Sequence, residues 1–240
     1  LMVPAVINCA VNPYLGEEDM FPLGKVPKAD TKKKVAVVGG GPAGIQALLT
    51  LVERGHDVTL YEKSGRLGGM LNYAILADFK QDLRDYLDWL VRQANKSGAR
   101  ILLSTEATKE ILDAEQYDAI IIAVGGKPII PDLPGIAKPH VHWAPHADAG
   151  EVEIGNKTVI VGAGAVGIEA AINLKKKGKD VTVIEMQPDL SSLMASSGGA
   201  TMEFMEMIDE LKIPLKLNCK LEEVCDNSVI CRDTKTDEKT

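Results

Sequence analysis

Two sets of glycines recur at the same spacing in this chain, and an acidic residue follows each set. The first set is Gly39, Gly41 and Gly44, followed by Glu62. The second lies 123 positions later: Gly162, Gly164 and Gly167, followed by Glu185. Glycines at this spacing let a chain turn sharply, let a phosphate approach the backbone and let a helix pack closely on a strand. A carboxylate beyond the next strand can bind ribose hydroxyls, so each set predicts a dinucleotide site.

The segments around each glycine set are those that such a site requires. Residues 35–63 read VAVVGGGPAGIQALLTLVERGHDVTLYEK, and residues 158–186 read TVIVGAGAVGIEAAINLKKKGKDVTVIEM. In both, a short apolar strand, a glycine turn, a helix that stops at Gly55 or Gly178, and a second strand follow in order. One glycine motif alone could be a turn of an ordinary α/β protein. Two in full context favour two dinucleotide sites.

Bulk properties exclude several other classes of protein. The 240 residues are enough for two small domains, and 45% of them are hydrophobic. The net charge of −7 argues against nucleic acid as a partner, because binding phosphates of a nucleic acid requires a basic face. No run approaches the roughly 18 apolar residues of a membrane span, and the opening LMVPAVINCAV lacks a basic leader. We therefore expect a cytoplasmic protein with no membrane partner.

The sequence also predicts a division into domains. Residues 1–33 contain four prolines and are predicted to form an irregular arm or linker. The first dinucleotide-binding domain is predicted at 34–150 and the second at 151–240, because the proline-rich connection at 127–157 is typical of a boundary. Residues 117–124, YDAIIIAV, predict a further buried strand.

The cysteines and histidines offer little further chemistry. The tail cysteines Cys219, Cys225 and Cys231 form no C-x-x-C pair, so we interpret them as small apolar residues in a reducing compartment. The H-x-H-x3-H run at 140–146 could chelate a metal, but no neighbouring residue completes a site. A solvated crossover is the favoured interpretation of that run.

Longer runs resemble a known family. The runs GGGPAG, YEKSGRLGG, YDAIIIAVGGKP and GAGAVGIEA…VTVIEM together resemble the glutathione-reductase-like flavoproteins with two dinucleotide-binding domains. The run INCAVNPYLGEE at 7–18, then VPKAD, is similar to the C-terminal FAD/NAD(P)-binding region of NADH:flavin oxidoreductases related to Old Yellow Enzyme. That group includes 2,4-dienoyl-CoA reductase, trimethylamine dehydrogenase and the enoate reductases. The resemblance covers essentially the whole chain and implies an α/β fold of two Rossmann-like domains with parallel sheets.

The resemblance also implies a role for each matching residue. Those that would hold FAD, or ADP, at the first site are Gly39, Gly41, Pro42, Ala43, Gly44, Glu62, Lys63, Leu67, Gly69, Ala107, Ala123 and Gly125. Those that would hold NADH at the second are Gly162, Gly164, Ala165, Val166, Gly167, Glu169 and Glu185. Cys9 matches the last of four cysteines that ligate a 4Fe-4S cluster in the full-length enzymes. No residue is expected to be catalytic, because the cofactors carry the chemistry.

The chain departs from the family pattern in three places. In the family, an N-terminal TIM barrel carries FMN, the substrate site and the other cluster cysteines, and no part of this chain matches it. A returning segment of the FAD domain, which relatives place after the NAD domain, has no match before Thr240. Val124 replaces the usual threonine of an A-T-G segment. The resemblance therefore implies a truncated fold with an incomplete FAD domain.

The function that the resemblance implies is electron entry. Hydride would pass from NADH to FAD and onward to an FMN-bound enoate- or enoyl-CoA-type reductase site outside this chain. The partners would be the barrel and iron–sulfur region of the parent enzyme. Two alternatives stay open: a free-standing NADH–flavin electron-transfer subunit, and a non-catalytic module that binds ADP. The final electron acceptor and the oligomeric state, a homo-oligomer included, also stay open.

Overall fold

The chain forms two compact α/β units. The computed structural model describes residues 9, 11, 12, 14–191, 193, 194 and 200–240. The first unit comprises Leu1–Ile75 and Lys80–Lys127, and the second comprises Leu76–Phe79 and Pro128–Thr240. In the described ranges, no helix has both the length and the apolar character needed to cross a bilayer.

A parallel four-stranded sheet forms the centre of the first unit. Its strands are β1 (Lys34–Val38), β2 (Asp57–Tyr61), β3 (Arg100–Leu102) and β4 (Ala119–Ile122), in the order β3-β2-β1-β4. The register aligns the last residue of β1, Val38, with the last residues of β2 and β4. The carboxyl ends of three strands therefore meet at one edge, where ligands bind in open parallel sheets.

The first unit has helices α1 (Pro42–Glu53), α2 (Leu71–Ala74), α3 (Gln81–Lys96) and α4 (Lys109–Glu115), preceded by a 3-10 turn at Pro22–Gly24. Of these, α1 and α3 contribute buried side chains to a core with the sheet, whereas no residue of α2 or α4 is buried. Ile45 and Leu48 of α1 and Leu90 of α3 are fully buried together with Leu60 of β2. Their spacing along each helix is that of an amphipathic helix. Gly55, at φ +94°, follows the end of α1 as predicted.

The second unit combines a parallel sheet with a hairpin. Strands β5 (Lys157–Val161), β6 (Asp180–Ile184) and β7 (Leu215–Lys216) are parallel, and β8 (Cys219–Val224) and β9 (Val229–Asp233) form an antiparallel pair. The helices described in this unit include α5 (Ala144–Asp148), α6 (Ala165–Lys176) and α7 (Thr201–Glu210). One core joins α6 and α7 to the sheet, and a second joins the hairpin to Ile184. The parallel α/β sheets predicted from the sequence are thus confirmed.

The prediction that β4 is buried is wrong. The strand is shorter than the apolar run at 117–124, and Ile120 and Ile122 are 45% and 65% exposed. These side chains are exposed because β4 is the outer strand of its sheet. A continuous apolar run indicates a strand, but it does not reveal which neighbours cover that strand.

The connection between the glycine repeats is more structured than predicted. It contains α5, whose Pro145 and Ala147 are buried, and its Leu133 and Val141 pack with the hairpin. These contacts assign the connection to the second unit, so the boundary between units follows Lys127 and not residue 150. The nucleotide that each domain binds stays a prediction.

Strand β5 has a paired neighbour on one side only, within the described residues. It pairs with β6, whereas its counterpart β1 lies between β2 and β4. Val159 and Val161 are 41% and 54% exposed, whereas Ala36, the counterpart of Val159, is fully buried. The second sheet therefore presents an apolar edge strand.

Candidate functional site

The first glycine turn is closed on two sides by neighbouring strands. Gly39 follows β1 at φ +109°, and its amide donates to the Tyr61 carbonyl at 2.8 Å. A Cβ on Gly39 would lie 2.2 Å from the carbonyl oxygen of Ala123, which follows β4. No side chain fits in that gap. The structure thus brings together Gly39 and Ala123, two residues that the sequence predicted at one site.

The third glycine of each set allows the helix to pack on the turn. A Cβ on Gly44 would lie 1.8 Å from the Gly39 carbonyl oxygen, and one on Gly167 would lie 2.0 Å from that of Gly162. The two units therefore repeat the same close contact between helix and strand. This is the packing role expected of the last glycine in the motif.

The second glycine leaves space for a ligand. A Cβ on Gly41 would have only the Gly69 Cα nearby, at 3.9 Å. The helix begins at Pro42, and its first intrahelical bond runs from the Ile45 amide to the Gly41 carbonyl, at 2.9 Å. The earlier amides of Ala43 and Gly44 therefore point beyond the N-terminus of α1. Free amides and the helix dipole together favour an anion such as a diphosphate at this end.

The second unit repeats this helix start. Gly164 precedes α6 in an extended conformation, and the Ile168 amide donates to its carbonyl at 3.0 Å. Val166 is exposed in the first turn, and Glu169 lies half-buried one turn further on. The backbone at the start of α6 therefore repeats the glycine turn and the first intrahelical bond of α1.

Glu62 is buried against the turn that precedes it. Its Oε2 accepts from the Gly40 amide at 2.7 Å, and its Oε1 accepts from the Ser64 amide at 2.7 Å. Burial opposes ionisation of this carboxyl, but the amide bonds from Ser64 and Gly40 outweigh it, so the pKa of Glu62 lies below its usual value. The site therefore holds a fixed negative charge at neutral pH.

Glu185 repeats this arrangement in the second unit. Its Oε2 accepts from the Ala163 amide at 2.8 Å, and its Oε1 accepts from the Gln187 amide at 2.9 Å. The sequence predicted only a ribose-binding role for both glutamates, so their bonds to their own turns were missed. A carboxylate has about four acceptor positions, which leaves capacity for ribose hydroxyls. Each glutamate thus orders its turn and keeps room for a ligand.

A loop at 64–70 folds back over the first turn. Its Gly68 amide donates to the Gly40 carbonyl at 2.8 Å, and Leu67 is buried against Gly40. A Cβ on Gly69 would lie 2.9 Å from the Gly41 Cα. The predicted residues Leu67 and Gly69 therefore do lie at the glycine turn.

The structure also describes the other residues predicted at the two sites. Lys63 is exposed beside Glu62, and Gly125, at φ +71°, has open space where a Cβ would lie. Ala107 is half-buried in the loop between β3 and α4. Ala43 and Ala165 lie in the first turns of α1 and α6. The structure gives these residues positions, and their contacts with a nucleotide stay predictions.

The predicted metal residue, Cys9, is half-buried. Ile7, Asn8, Ala10 and Pro13 of the run that resembles the iron–sulfur enzymes lie outside the described residues. Among the residues that the structure does describe, no group of three or more histidine, cysteine, aspartate or glutamate side chains could hold a metal ion. Within those ranges the chain by itself does not fit an iron–sulfur cluster.

Comparison with known proteins identifies the family. A family model described as pyridine nucleotide-disulphide oxidoreductase matches residues 33–240. The chain belongs to this family. The match includes both glycine repeats and both parallel sheets.

Two curated relatives and one solved structure give the comparison more detail. NADH oxidase from Thermoanaerobacter brockii is 38% identical over 189 residues, which cover 77% of this chain and 29% of that protein. Cinnamate reductase from Clostridium sporogenes is 39% identical over 186 residues, 78% of this chain and 27% of that protein. A 2-naphthoyl-CoA reductase complex has a TM-score of 0.89 at 30% identity, and the match covers 98% of this chain and 35% of that one. The chain spans about a third of the length of these relatives.

These matches confirm the resemblance inferred from the sequence. The chain corresponds to the FAD/NAD(P)-binding part of larger oxidoreductases related to Old Yellow Enzyme, and its two-domain flavoprotein fold class is confirmed. As a family member it is an NAD(P)- and FAD-binding oxidoreductase module. The role of each site residue stays a prediction.

Proposed function

We propose that the chain is the electron-entry module of an NADH:flavin oxidoreductase, with FAD at the first turn and NADH at the second. The nicotinamide would supply a hydride and the flavin would accept it. The electrons would continue to an FMN-bound enoate- or enoyl-CoA-type reductase site, which no residue of this chain would form. The similarity to NADH oxidase and cinnamate reductase supports this chemistry.

One observation carries the proposal: each unit contains the same pairing of a glycine turn at a helix start with a buried carboxylate. The distances from carboxylate to turn amide are 2.7 Å for Glu62 with Gly40 and 2.8 Å for Glu185 with Ala163. Because each carboxylate fixes the turn beside it, the amides at the start of α1 and α6 are oriented before a ligand arrives. Two preorganised sites in one chain suit an enzyme that brings two dinucleotides together.

The side chains and backbone at each turn fit a dinucleotide. The amides at the helix start would bind the diphosphate, and the open space at Gly41 would admit it. The spare acceptor positions of Glu62 and Glu185 would bind the adenosine ribose hydroxyls. These residues bind and orient, and they carry out no proton transfer.

The test is reduction of a dye by the purified 240-residue chain. FAD is added to the chain, and its binding is monitored by absorbance between about 350 and 500 nm. NADH and a dye acceptor are then added. We expect NADH-dependent dye reduction that requires FAD. Gly41→Ala should remove flavin binding and Gly164→Ala should remove NADH binding, because a methyl group would stand where each diphosphate meets the backbone. Either variant should stop dye reduction.

A matched control and two contrary outcomes complete the experiment. The control variant is Gly155→Ala. Gly155 lies in the loop before β5, where an added Cβ would have its nearest neighbour 3.8 Å away, so this variant should bind both nucleotides and reduce the dye as the parent chain does. Binding of both nucleotides without dye reduction would favour a non-catalytic nucleotide-binding module. Binding of neither nucleotide would reject the proposal.

A further inference from the structure

Asn72 in the short helix α2 makes contacts that the predicted site does not use. Its side-chain Nδ2 donates to the Leu67 carbonyl at 3.0 Å and to the Gly69 carbonyl at 3.1 Å. Its backbone amide also donates to the Gly69 carbonyl, at 3.2 Å. One half-buried residue therefore holds both ends of the three-residue segment 67–69.

That segment in turn fixes the glycine turn. Gly68 donates to the Gly40 carbonyl at 2.8 Å, while Glu62 accepts from the Gly40 amide at 2.7 Å. The peptide groups on both sides of Gly40 are thus held, immediately before Gly41. Gly41 is the position where a diphosphate would meet the backbone.

The packing around Asn72 leaves little freedom. Gly68 adopts φ +111°, and a Cβ there would lie 2.7 Å from Asn72 Nδ2 and 2.9 Å from Leu87 Cδ1. On the other side, a Cβ on Gly69 would lie 2.9 Å from the Gly41 Cα. The asparagine, the loop and the turn are therefore packed in a continuous chain of close contacts, and a displaced Asn72 side chain would displace the loop.

From these contacts we propose that Asn72 is a positioning residue of the first site, which holds loop 67–69 in the arrangement that a nucleoside diphosphate requires. The proposal rests on the proposed function, because it takes the first turn as a nucleotide site. The amide group suits the task, since it offers two N–H donors to two carbonyls. Aspartate at this position would offer only acceptors and would repel both carbonyls. Leucine would keep a similar shape but donate no bond.

The test compares ADP with AMP in calorimetric titrations of the full chain. Asn72→Leu should raise the Kd for ADP roughly 5- to 100-fold, as expected for two lost hydrogen bonds. The Kd for AMP, which lacks the second phosphate, should change less than about threefold. Asn72→Asp should raise the ADP Kd further, because it adds repulsion.

Limited trypsin digestion gives a second measurement that needs no ligand. Arg66 is exposed in the loop, so cleavage after it reports how well the loop is ordered. We expect faster cleavage at Arg66 in Asn72→Leu than in the parent chain. Asn95→Leu, an exposed position on α3, is the matched control and should change neither the cleavage rate nor the ADP Kd.

The outcomes separate this proposal from the proposed function. If the parent chain binds neither FAD nor ADP, the first turn is not a nucleotide site and both proposals fail. A parent chain that binds ADP, with an unchanged ADP Kd in Asn72→Leu, overturns the positioning role alone. Equal losses of ADP and AMP affinity, with a lowered melting temperature, would mean that Asn72 supports the fold in general, which also contradicts the proposal.

Discussion

Gly41 and Gly44 stand in the same turn of the first unit, but a methyl group would have different effects at the two positions. At Gly41 the added Cβ has 3.9 Å of clearance and the backbone φ is −75°, which alanine readily adopts. At Gly44 the Cβ would lie 1.8 Å from the Gly39 carbonyl oxygen. We expect Gly41→Ala to keep its melting temperature and lose at least about tenfold in FAD or ADP affinity. Gly44→Ala should instead lower the melting temperature.

Thermal melts and ADP titrations of the two variants check this contrast. Alanine at Gly44 forces the helix away from the strand, and we expect a loss of roughly 2 kcal/mol or more. A destabilised Gly41→Ala, or one that binds ADP as well as the parent does, would contradict the assignment of Gly41 as the diphosphate position.

Glu185 should set the preference for NADH over NADPH at the second site. No arginine follows it closely to pair with a 2′-phosphate, and its carboxylate is held in place by the Ala163 and Gln187 amides. A phosphate about 4 Å from a carboxylate costs roughly 1–4 kcal/mol, depending on the local dielectric. We expect NADH to bind about five- to a thousandfold more tightly than NADPH.

The measurement is a titration of both cofactors into the parent chain and into Glu185→Ser. The serine variant should narrow the gap, because it removes the charge, and it should also weaken NADH binding, because the turn loses two hydrogen bonds. Glu210→Ser, at the exposed end of α7, controls for net charge. Equal or tighter NADPH binding by the parent chain would overturn the assignment.

At the scale of elements, the two copies of the glycine motif differ in what surrounds the strand. A Cβ on Gly39 would collide with the carbonyl after β4, whereas one on Gly162 would meet open space. Both glycines have positive φ, at +109° and +98°, so alanine is strained in both. We expect Gly39→Ala to destabilise its unit by roughly 1–3 kcal/mol more than Gly162→Ala does. Chemical denaturation of both variants checks this, and equal losses would contradict it.

The end of strand β2 should add a pH-dependent contribution to stability. The hydroxyls of Tyr61 and Tyr117 share a hydrogen bond of 2.7 Å, and burial, reinforced by that bond, raises the pKa of Tyr61 to about 12. Folding thus favours the neutral phenol. Its contribution is complete below the unfolded pKa of about 10 and is lost as the pH rises towards 12.

Denaturation of the parent chain and of Tyr61→Phe between pH 8 and about 12 tests this contribution. We expect the variant to be less stable by about 1 kcal/mol at pH 8, where it lacks the hydrogen bond. The difference should shrink between about pH 10 and 12 because only the parent has a Tyr61 hydroxyl to ionise. A constant difference across that range would contradict the raised pKa.

The sequence predicted the elements well where local pattern determines them. Helices α1 and α6 follow the glycine turns as predicted, and glycines mark the ends of both helices. The exposure of β4 was not predictable, because it depends on which strands and layers lie beside it. The boundary after Lys127 has the same cause, since contacts of Leu133 and Val141 with a distant hairpin decide it.

The candidate site was likewise predictable from the sequence only in part. The glycines and glutamates are apparent from their spacing, because each position has a steric or charge requirement. The bond from Gly68 to Gly40 and the two bonds from Asn72 are not apparent, because they join a loop to a turn through geometry that no spacing encodes. The spacing of a motif therefore indicates the residues predicted to bind a ligand, but not the residues that hold the turn in place.

For the whole molecule, the outer side of β5 has a consequence in solution. Within the part of the chain that the structure describes, no strand pairs with this side, so the backbone beside exposed Val159 and Val161 forms a template onto which another extended chain can add. Opposing this, the net charge of −7 makes copies of the chain repel one another at low ionic strength. Salt screens that repulsion over about 8–10 Å near physiological strength but leaves the apolar attraction intact.

Self-association should therefore rise with both protein concentration and salt, and it should begin at this strand. Val159→Lys places a charge on the edge strand and should reduce association, as measured by light scattering across a salt series. Met202→Lys, which replaces a more exposed apolar residue on α7 with the same charge, should reduce it much less. If both variants behave alike, net charge and not the strand governs association. If only Val159→Lys stays monomeric, this one strand sets the concentration up to which the chain remains in solution.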